Sequence, residues 1–437
     1  MIHRKRSWTN WSGTVQCEPS HCAYPINVEQ IQAEVLRVAE EGERLRVIGG
    51  GHSFSPLCWT DDNHLSLDRF TGIESIDVNT QQVWVRAGTR LRRLAEALGD
   101  RRLALINAPD NDQLTLAGAL ATASHGSGAA FGSLAAQVTG LRMVCAAGSQ
   151  RSLSATNDPD DFHAAVVSLG ALGVITHVEL QCVEDYRLHV AHHAATLAET
   201  LAGLEDWRAK YRNLELFWYP HTDTVIARHA TLTDALPSTL SPLRNVARAG
   251  LDRAVFRTLA RTARRAPKLS ERLGRLAVRQ VSNRSSIHSA RDAYALRQRN
   301  RFQQLEYALP RSSLKAVLRS LENVVRALDI RVHFPLEIRF VAKDNFWLSP
   351  FYQRDSVCIS VPAYTDTAFE KYYALIAELM ERHDGRPHWG MVHDLSAEQL
   401  RPLYPRFDDF RAVRRKCDPR GVFLNPHLAT LLGETMR

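Results

Sequence analysis

Three glycines and a histidine end what the sequence predicts to be a strand, Leu45–Ile48. The stretch RVIGGGHSFSP runs from Arg46 to Pro56. Glycine has no Cβ and tolerates positive φ, so backbone amides in such a turn come close to a ligand and suit phosphate. The imidazole of His52 is a nucleophile that titrates near neutrality. The motif therefore predicts a ligand-binding turn with a reactive ring. A histidine that only hydrogen-bonds within the turn is the alternative.

Two familiar nucleotide motifs do not fit this stretch. The GxGxxG pattern fails because Phe54 occupies the position of the third glycine, and a P-loop would need a Gly-Lys-Ser/Thr that does not follow. A second run of small residues, TLAGALATASHGSG from Thr115 to Gly128, indicates backbone packed against a large flat ligand. Either loop alone is equally explained by a tight turn, but two in one half favour a bound nucleotide.

Glu337 and Arg339 stand two apart in an alternating segment, PLEIRF, so both side chains project from one face of a predicted strand. Leu336, Ile338 and Phe340 then face the core. A carboxylate beside a guanidinium is expected to stay ionised and accept a hydrogen bond from a ligand hydroxyl, while the guanidinium offers paired donors to ligand oxygens. Taken alone, such a pair is more often a surface ion pair.

Length and composition allow a sizeable enzyme. The 437 residues predict two domains, and a hydrophobic content of 45% with 23% charged residues is ordinary for a globular protein. No secretory signal and no run of about 18 apolar residues is visible. The seven scattered cysteines lack zinc-ligand spacing, so we expect reduced thiols in a cytoplasmic protein.

The net charge of +8 is concentrated in one segment, Pro242–Gln280, which by itself carries eleven basic and two acidic residues. Apolar residues recur near helical spacing there, which suits a basic helix lying on an anionic membrane surface; a solvated helical insertion is the other interpretation. The segment lacks interleaved aromatic residues, so nucleic-acid binding is not expected.

The order of helices and strands predicts an α+β architecture in two domains, residues 14–185 and 186–437. Many short strands mark the first domain, whereas the second interleaves long helices with strands. The elements expected from periodicity are a helix within Val28–Leu45, a helix at Leu91–Leu98, a strand at Val174–Cys182, and helices at Thr196–Lys210, Ser312–Leu328 and Thr367–His383.

These motifs, taken in order, resemble a known superfamily. GGGHS, HGSG, SLGALGVIT, FWYPHTD, PLEIRF, GRPHWGM and FLNP resemble blocks of the vanillyl-alcohol oxidase and p-cresol methylhydroxylase (PCMH) flavoproteins, in the sugar-1,4-lactone oxidase branch that includes L-gulonolactone, D-arabinono-1,4-lactone and alditol oxidases. The resemblance covers nearly the whole chain except the Arg-rich segment. It implies an FAD-binding domain of PCMH type and a cap (substrate) domain with an antiparallel sheet and helices, whose C-terminal end returns to the flavin domain.

The resemblance also implies roles for individual residues. His52 matches the histidine that is joined covalently to the flavin 8α-methyl carbon, and Glu337, Arg339 and His388 match the substrate site. No metal is expected. The residues expected to bind FAD are Gly49, Gly50, Gly51, His52, Ser53, Phe54, Ser55, Pro109, Thr115, Gly118, Thr122, His125, Gly126, Ser127, Gly128, Gly173, Val174, Ile175 and Asn425.

One position departs from the branch. Its pattern at this block is usually HWxK, but residue 391 is methionine, which cannot stabilise an anionic flavin or alkoxide as a cation would. Three explanations remain: an altered substrate, a cation supplied by His388, His393 or Arg339, or weak activity.

The expected reaction is oxidation of a CH–OH group of a sugar lactone or alditol by FAD. Pro109 falls in the loop associated with oxygen access, where a dehydrogenase of the group more often has alanine, so molecular oxygen is the expected acceptor and hydrogen peroxide the product. A dehydrogenase using a quinone or cytochrome is one alternative. A catalytically weak flavin-binding protein is the other.

Overall fold

The computed structural model describes residues 7–219, 224–237, 284–294, 301–327, 335–364 and 369–436. The Arg-rich segment 242–280 lies outside these residues, and so does its predicted basic helix. Among the residues described, no helix combines the length and apolar character needed to cross a bilayer.

The first half contains short strands and four helices. The strands are β1 (Trp8–Thr9), β2 (Gln16–Cys17), β3 (His21–Ala23), β4 (Leu45–Ile48), β5 (Asn63–Ser66), β6 (Ile73–Asp77), β7 (Gln82–Arg86), β8 (Leu103–Leu105), β9 (Val138–Val144), β10 (Gln150–Ser154) and β11 (Val174–Glu184). The helices are α1 (Val28–Glu41), α2 (Leu91–Gly99), α3 (Leu116–Ala121) and α4 (Pro159–Ala165).

Two sheets organise this half. Strands β3, β5 and β4 form a parallel sheet, and β10, β9, β11, β7 and β6 form an antiparallel sheet in which β8 also pairs with β11. The glycine turn follows β4 directly, so the parallel sheet positions it. The second small-residue run includes α3, which Thr115 caps by accepting a hydrogen bond from Gly118 N at 3.3 Å.

Helix α1 begins where its sequence predicts and ends earlier. The Asn27 side chain caps it by accepting a hydrogen bond from Gln30 N at 2.9 Å. The prediction allowed helix as far as Leu45, but Gly42 adopts a left-handed conformation with φ of 70° and ends the helix at Glu41. Glycine accepts this conformation without a Cβ clash, and the chain then turns into β4.

The second half is built on one large sheet with helices. Its strands are β12 (Arg187–Ala195), β13 (Asn213–Tyr219), β14 (Thr224–Leu232), β15 (Ser285–Ser289), β16 (Phe302–Pro310), β17 (Leu336–Val341), β18 (Ser356–Tyr364) and β19 (Arg386–Pro387). Its helices are α5 (Leu197–Lys210), α6 (Ala290–Ala293), α7 (Leu314–Ala327), α8 (Glu370–Glu381), α9 (Ala397–Leu403), α10 (Phe407–Cys417) and α11 (Pro426–Leu432).

The large sheet is antiparallel and has the strand order β15, β12, β14, β13, β17, β18, β16, β19. Strand β17 lies in the interior of this sheet. Its alternating pattern predicts its two faces: Leu336, Ile338 and Phe340 are fully buried on one face, and Glu337 and Arg339 share the other. In the register of the sheet, Glu337 lies opposite Ser360 of β18, which lies opposite Glu306 of β16. The sheet therefore carries a row of polar side chains on one face.

The last part of the chain returns to the first half. Leu45 N donates to Val422 O at 2.8 Å, which joins β4 to the segment after α10. Strand β11, which ends at Glu184, and strand β12, which begins at Arg187, belong to different sheets. We keep 14–185 and 186–437 as the proposed division, since the chain enters the large sheet at that point.

Candidate active site

The glycine turn lies flat against the start of α3. A Cβ at Gly49 would stand 2.3 Å from Thr115 Oγ1, and one at Gly50 would stand 2.9 Å from His52 Cδ2. Gly51 has φ of 66°, a left-handed conformation that side chains disfavour. Glycine is therefore required here for close packing within the protein, and the same packing exposes the turn's backbone to the adjoining cavity.

A single cavity of about 580 Å³ extends from this turn to the polar face of the large sheet. Its size is in the usual range for ligand sites. Of the residues predicted from sequence, the cavity is lined by Gly49, Gly50, Gly51, His52, Ser53, Phe54, Ser55, Pro109, Thr115, Gly118, Thr122, His125, Gly173, Ile175, Glu337, Arg339 and His388. The glycine turn and the Glu337 and Arg339 pair, which lie almost 300 residues apart in the chain, therefore meet at one site.

Five predicted FAD-binding residues lie outside the lining. Ser127 and Gly128 contact the second half instead: Gly128 N donates to Phe340 O at 2.8 Å, and Ser127 Oγ accepts from Phe340 N at 3.2 Å. Gly126 packs within the first half, where a Cβ would stand 2.3 Å from Ala108 O. Val174 is fully buried in β11 beside β9. The HGSG block therefore joins the halves, because its small side chains allow strand β17 to approach its backbone.

Asn425 is the fifth of these residues. It does not line the cavity but binds the loop that follows the glycine turn. Its Nδ2 donates to the backbone oxygens of Pro56, Leu57 and Trp59 at 3.0, 3.3 and 2.8 Å, while its Oδ1 accepts from Leu428 N. The residue thus caps α11 and fastens the loop that follows the glycine turn.

His52 is a neutral imidazole packed beside a tryptophan. Burial, with a smaller contribution from the positive charge of Arg90, lowers the pKa of His52 to about 4. Its ring is stacked with that of Trp11, with centroids 5.7 Å apart and planes at 28°. A neutral ring keeps a lone pair at physiological pH, as the reactivity expected of this position requires.

The opposite end of the cavity holds a buried guanidinium. Arg339 Nη2 donates to Glu337 Oε2 at 2.8 Å and to Asp110 Oδ2 at 2.7 Å. The expectation that Glu337 stays fully ionised is wrong: burial raises its pKa to about 7, outweighing the opposing effect of Arg339. The sequence shows the neighbouring charge but not the loss of water around the carboxyl group.

A second ion pair, His125 with Glu306, lies in the cavity wall. Their Nε2 and Oε1 atoms are 3.1 Å apart, and both side chains are 97% buried. Burial opposes a charged His125, but Cys358 and Glu306 outweigh it and raise its pKa. Burial likewise opposes ionisation of Glu306, yet His125 lowers the carboxyl pKa. The pair is therefore an imidazolium and a carboxylate that join the two halves.

His125, Glu306 and Cys358 are also the one group among the described residues whose ligand atoms lie close enough together to hold a metal, within 4.8 Å. Glu306 Oε2 already accepts hydrogen bonds from Ser360 Oγ and from Gln304 Nε2. Since these bonds satisfy the carboxylate, we assign the group to the ion-pair network, and the absence of a metal stays a prediction.

His388 is held by backbone contacts near this pair. Its amide donates to Glu306 O at 2.9 Å, and its Nδ1 accepts from Gly390 N at 3.1 Å. Burial lowers the pKa of His388 to about 4 and that of His393 to about 3. Of the three cations considered as substitutes at position 391, only Arg339 is therefore charged at neutral pH, while Met391 itself lines the cavity.

Sequence reasoning missed several residues of the lining. Trp11, Asp110, Gln304 and Glu306 all face the cavity. For Gln304 and Glu306 a signal was available, since two polar residues spaced by two in an otherwise apolar strand repeat the Glu337 pattern. Asp110 and Trp11 lie in loops, where no periodicity indicates direction.

The residues fit a flavin. Backbone and small side chains line one end of the cavity, and a neutral imidazole lies beside them. At the other end Arg339 is 95% buried, and its Nε has no hydrogen-bond partner among the described residues. Arg339 thus supplies charge at one end of a cavity whose other end is formed by backbone and small side chains, a combination found in ligand sites.

Comparison with known proteins first identifies the class. The fold matches that of cholesterol oxidase from Brevibacterium sterolicum with a TM-score of 0.78 over 98% of this chain and 96% of that one, at 17% identity. Residues 19–154 match the FAD binding domain model. The protein is thus a two-domain FAD-dependent oxidoreductase.

Sequence relatives then identify the family. Residues 178–431 match the D-arabinono-1,4-lactone oxidase model. The chain is 36% identical to L-gulono-1,4-lactone dehydrogenase of Mycobacterium tuberculosis over 98% of this chain and 99% of that protein. It is 32% identical to L-gulonolactone oxidase of Scyliorhinus torazame, covering 96% of each, and 30% identical to alditol oxidase of a Streptomyces species, covering 97% and 98%. The chain belongs to the D-arabinono-1,4-lactone oxidase family, the PCMH-type sugar-lactone oxidase branch.

Proposed function

We propose that this protein oxidises a CH–OH group of a sugar-1,4-lactone, or of a related polyol, with FAD as the hydride acceptor. The observation that carries the proposal is the single cavity that joins the His52 turn to the Glu337 and Arg339 pair. The names of the relatives supply the substrate class, because they include both lactone and alditol enzymes.

Arg339 and Glu337 have complementary roles in this proposal. The Arg339 guanidinium is positively charged and lines the cavity, so it binds and orients lactone or polyol oxygens. Glu337 has a pKa of about 7 and accepts the hydroxyl proton as the C–H hydrogen leaves as hydride. A base is efficient when its pKa lies near the working pH, and Glu337 fits this role better than His388, whose pKa is about 4.

Bound FAD would supply the two-electron acceptor. The protein's part is to hold it against the glycine turn, to exclude water at the buried end and to align the substrate carbon. We propose that His52 attaches the flavin covalently, since a neutral imidazole is the form that attacks an electrophilic carbon. A denaturing gel viewed under ultraviolet light tests this: a fluorescent band in the wild type and none in His52→Ala supports attachment, and equal bands contradict it.

For the second half-reaction we propose molecular oxygen as acceptor, with hydrogen peroxide as product. The support is Pro109, which lines the cavity, together with the oxidase names of several relatives. The dehydrogenase name of another relative keeps a quinone or cytochrome acceptor as the alternative. A cytoplasmic location and a membrane contact through residues 242–280 stay predictions, as does the absence of nucleic-acid binding.

The deciding experiment follows the flavin spectrum in a stopped-flow instrument. Anaerobic mixing with L-gulono-1,4-lactone, D-arabinono-1,4-lactone or xylitol should bleach the oxidised flavin, and a second mixing with oxygen should restore it and release peroxide. Bleaching without fast reoxidation would indicate that an acceptor other than oxygen reoxidises the flavin. No bleaching by any lactone or alditol would refute the proposed reaction and leave a flavin-binding protein whose Met391 marks lost catalysis.

A further inference from the structure

One carboxylate at the cavity belongs neither to the glycine turn nor to the large sheet. Asp110 follows Pro109 in the loop between β8 and α3, and its Oδ2 accepts from Arg339 Nη2 at 2.7 Å. The same Nη2 atom donates to Glu337 Oε2 at 2.8 Å. One guanidinium from the second half is therefore held between two carboxylates, of which one comes from each half.

The geometry makes Asp110 more than a surface partner of Arg339. The Arg339 side chain is 6% exposed, that of Glu337 is 12% exposed and that of Asp110 is 20% exposed. A charge buried to this degree is strongly destabilising unless it is paired, and removal of one partner changes the position and hydration of the others. Asp110 supplies the shorter of the two bonds to Nη2, and it does so from a loop of the first half.

The contacts through Nη2 order Arg339 where it lines the cavity. The flexible stem of Arg339 therefore does not have to be ordered when a ligand arrives. Prior ordering of this kind lowers the entropic cost of binding.

Asp110 also acts on Glu337 through its charge. Burial is the main reason that the pKa of Glu337 is raised, Arg339 opposes the rise, and Asp110 adds to it. The two carboxylates share one cation, so a proton on Glu337 relieves their repulsion.

We propose that Asp110 is a positioning residue of this site: it holds the Arg339 guanidinium ready for substrate oxygens and, by its charge, sets how readily Glu337 takes up a proton. The proposal rests on the proposed function, in which Glu337 accepts the hydroxyl proton. A merely structural link between the halves would affect stability but would leave the titration of Glu337 unchanged.

The test compares four variants of the full-length flavoprotein. Asp110→Asn removes the charge and keeps the shape, and Asp110→Glu keeps the charge. Asp355→Asn is the control, since Asp355 also pairs with an arginine, Arg311 at 3.5 Å, but does not line the cavity. The first readout is the absorbance of the oxidised flavin as a function of pH without substrate, with Glu337→Gln identifying the transition that belongs to Glu337. The second is the L-gulono-1,4-lactone concentration that gives half-maximal flavin reduction.

In Asp110→Asn we expect the pH midpoint of the Glu337 absorbance transition to fall by about one unit, as loss of one nearby buried charge would cause. For the same reason, the lactone concentration that gives half-maximal flavin reduction should rise about tenfold. Asp110→Glu should keep the wild-type midpoint, and the Asp355→Asn control should change neither quantity. A folded Asp110→Asn protein that titrates like the control, or an Asp110→Glu protein whose midpoint falls, would overturn the proposal. The absorbance titration needs no turnover, so it decides the role of Asp110 even if no lactone reduces the flavin.

Discussion

At the scale of single residues, burial decides which basic groups at the cavity carry charge. His52 and His388 are neutral because water is excluded from their rings, whereas Arg339 stays charged between two carboxylates. Positive charge at the polar end of the cavity is therefore supplied by Arg339 and by protonated His125, and the residue at position 391 adds none. Two consequences can be measured: the pH dependence of flavin reduction and the reduction potential of the flavin.

The first effect is the pH dependence of flavin reduction. Glu337 has a pKa of about 7 and accepts a proton only when ionised, so the limiting rate of anaerobic reduction by L-gulono-1,4-lactone should rise with pH through a midpoint near 7. Glu337→Gln should abolish that midpoint and lower the rate by about 10² to 10⁴. His388→Gln should keep the pH midpoint of the reduction rate. If the midpoint disappears in His388→Gln and persists in Glu337→Gln, the base is His388.

The second effect concerns Met391. A lysine at this position would place a cation by the cavity, where it stabilises an anionic reduced flavin. We expect Met391→Lys to raise the flavin reduction potential by about 30 mV, which is a tenfold change in the two-electron equilibrium. Spectropotentiometry measures this shift. Met391→Leu keeps the volume without the charge, and equal potentials in the two variants would contradict the prediction.

At the scale of elements, the cavity depends on the segment between α10 and α11 as much as on the glycine turn. Arg46 of β4 donates to the backbone oxygens of Leu57, Leu169 and Phe423, so one buried guanidinium ties the turn to both the first and the last parts of the chain. Asn425 holds the same loop from the other side. The glycine turn therefore has its shape fixed by partners remote in sequence.

Removal of the Asn425 side chain should show this dependence. Asn425→Ala loses the cap of α11 and the donor to Trp59 O, which we expect to cost about 3 kcal/mol in the free energy of unfolding by urea. The other two carbonyls keep donors, Pro56 O from Trp59 N and Leu57 O from Arg46 Nε. Asn27→Ala is the control, because Asn27 caps α1 through an exposed bond and its loss should cost only about 1 kcal/mol. Equal costs would mean that the loop bonds add nothing.

At the scale of the whole molecule, burial lowers the pKa of more histidines than it raises the pKa of carboxyl groups among the described residues. The imidazoles whose pKa is lowered to about 3 or 4, chiefly by burial, include His52, His192, His388, His393 and His427. Glu337 and Asp344 act in the opposite direction, because burial raises their pKa values to about 7 and about 6. The histidines outnumber them, so acid should destabilise the fold.

This prediction has a definite sign. Between the unfolded histidine pKa of about 6.5 and the folded value of about 3, the unfolded chain binds more protons, so stability falls as pH drops through that range. In His393→Phe the slope of unfolding free energy against pH, from pH 6.5 to pH 4.5, should decrease by about 1.4 kcal/mol per pH unit. Urea unfolding measures it, with His21→Gln as a control for loss of an imidazole near the surface. An unchanged slope in His393→Phe would contradict the assignment.

Much of the site could be predicted from local pattern. The glycine run after β4, the position of His52 in it, and the shared face of Glu337 and Arg339 follow from chain geometry that does not depend on the rest of the fold. The same reasoning placed Gly126, Ser127 and Gly128 on the ligand, whereas the structure packs Gly126 against Ala108 and joins Ser127 and Gly128 to β17. Small residues indicate close approach, but not whether a ligand or another strand approaches.

The sequence by itself determined the motifs, their order and the direction of side chains within each strand, because these follow from covalent geometry and backbone sterics. Only the tertiary structure decided that Asp110 meets Arg339 across the halves, that His125 pairs with Glu306, and that Glu337 has a pKa near 7. The physical reason is that partners and dielectric surroundings are set by residues far apart in the chain. Water exclusion at a site is a property of the packed molecule and has no local sequence signal.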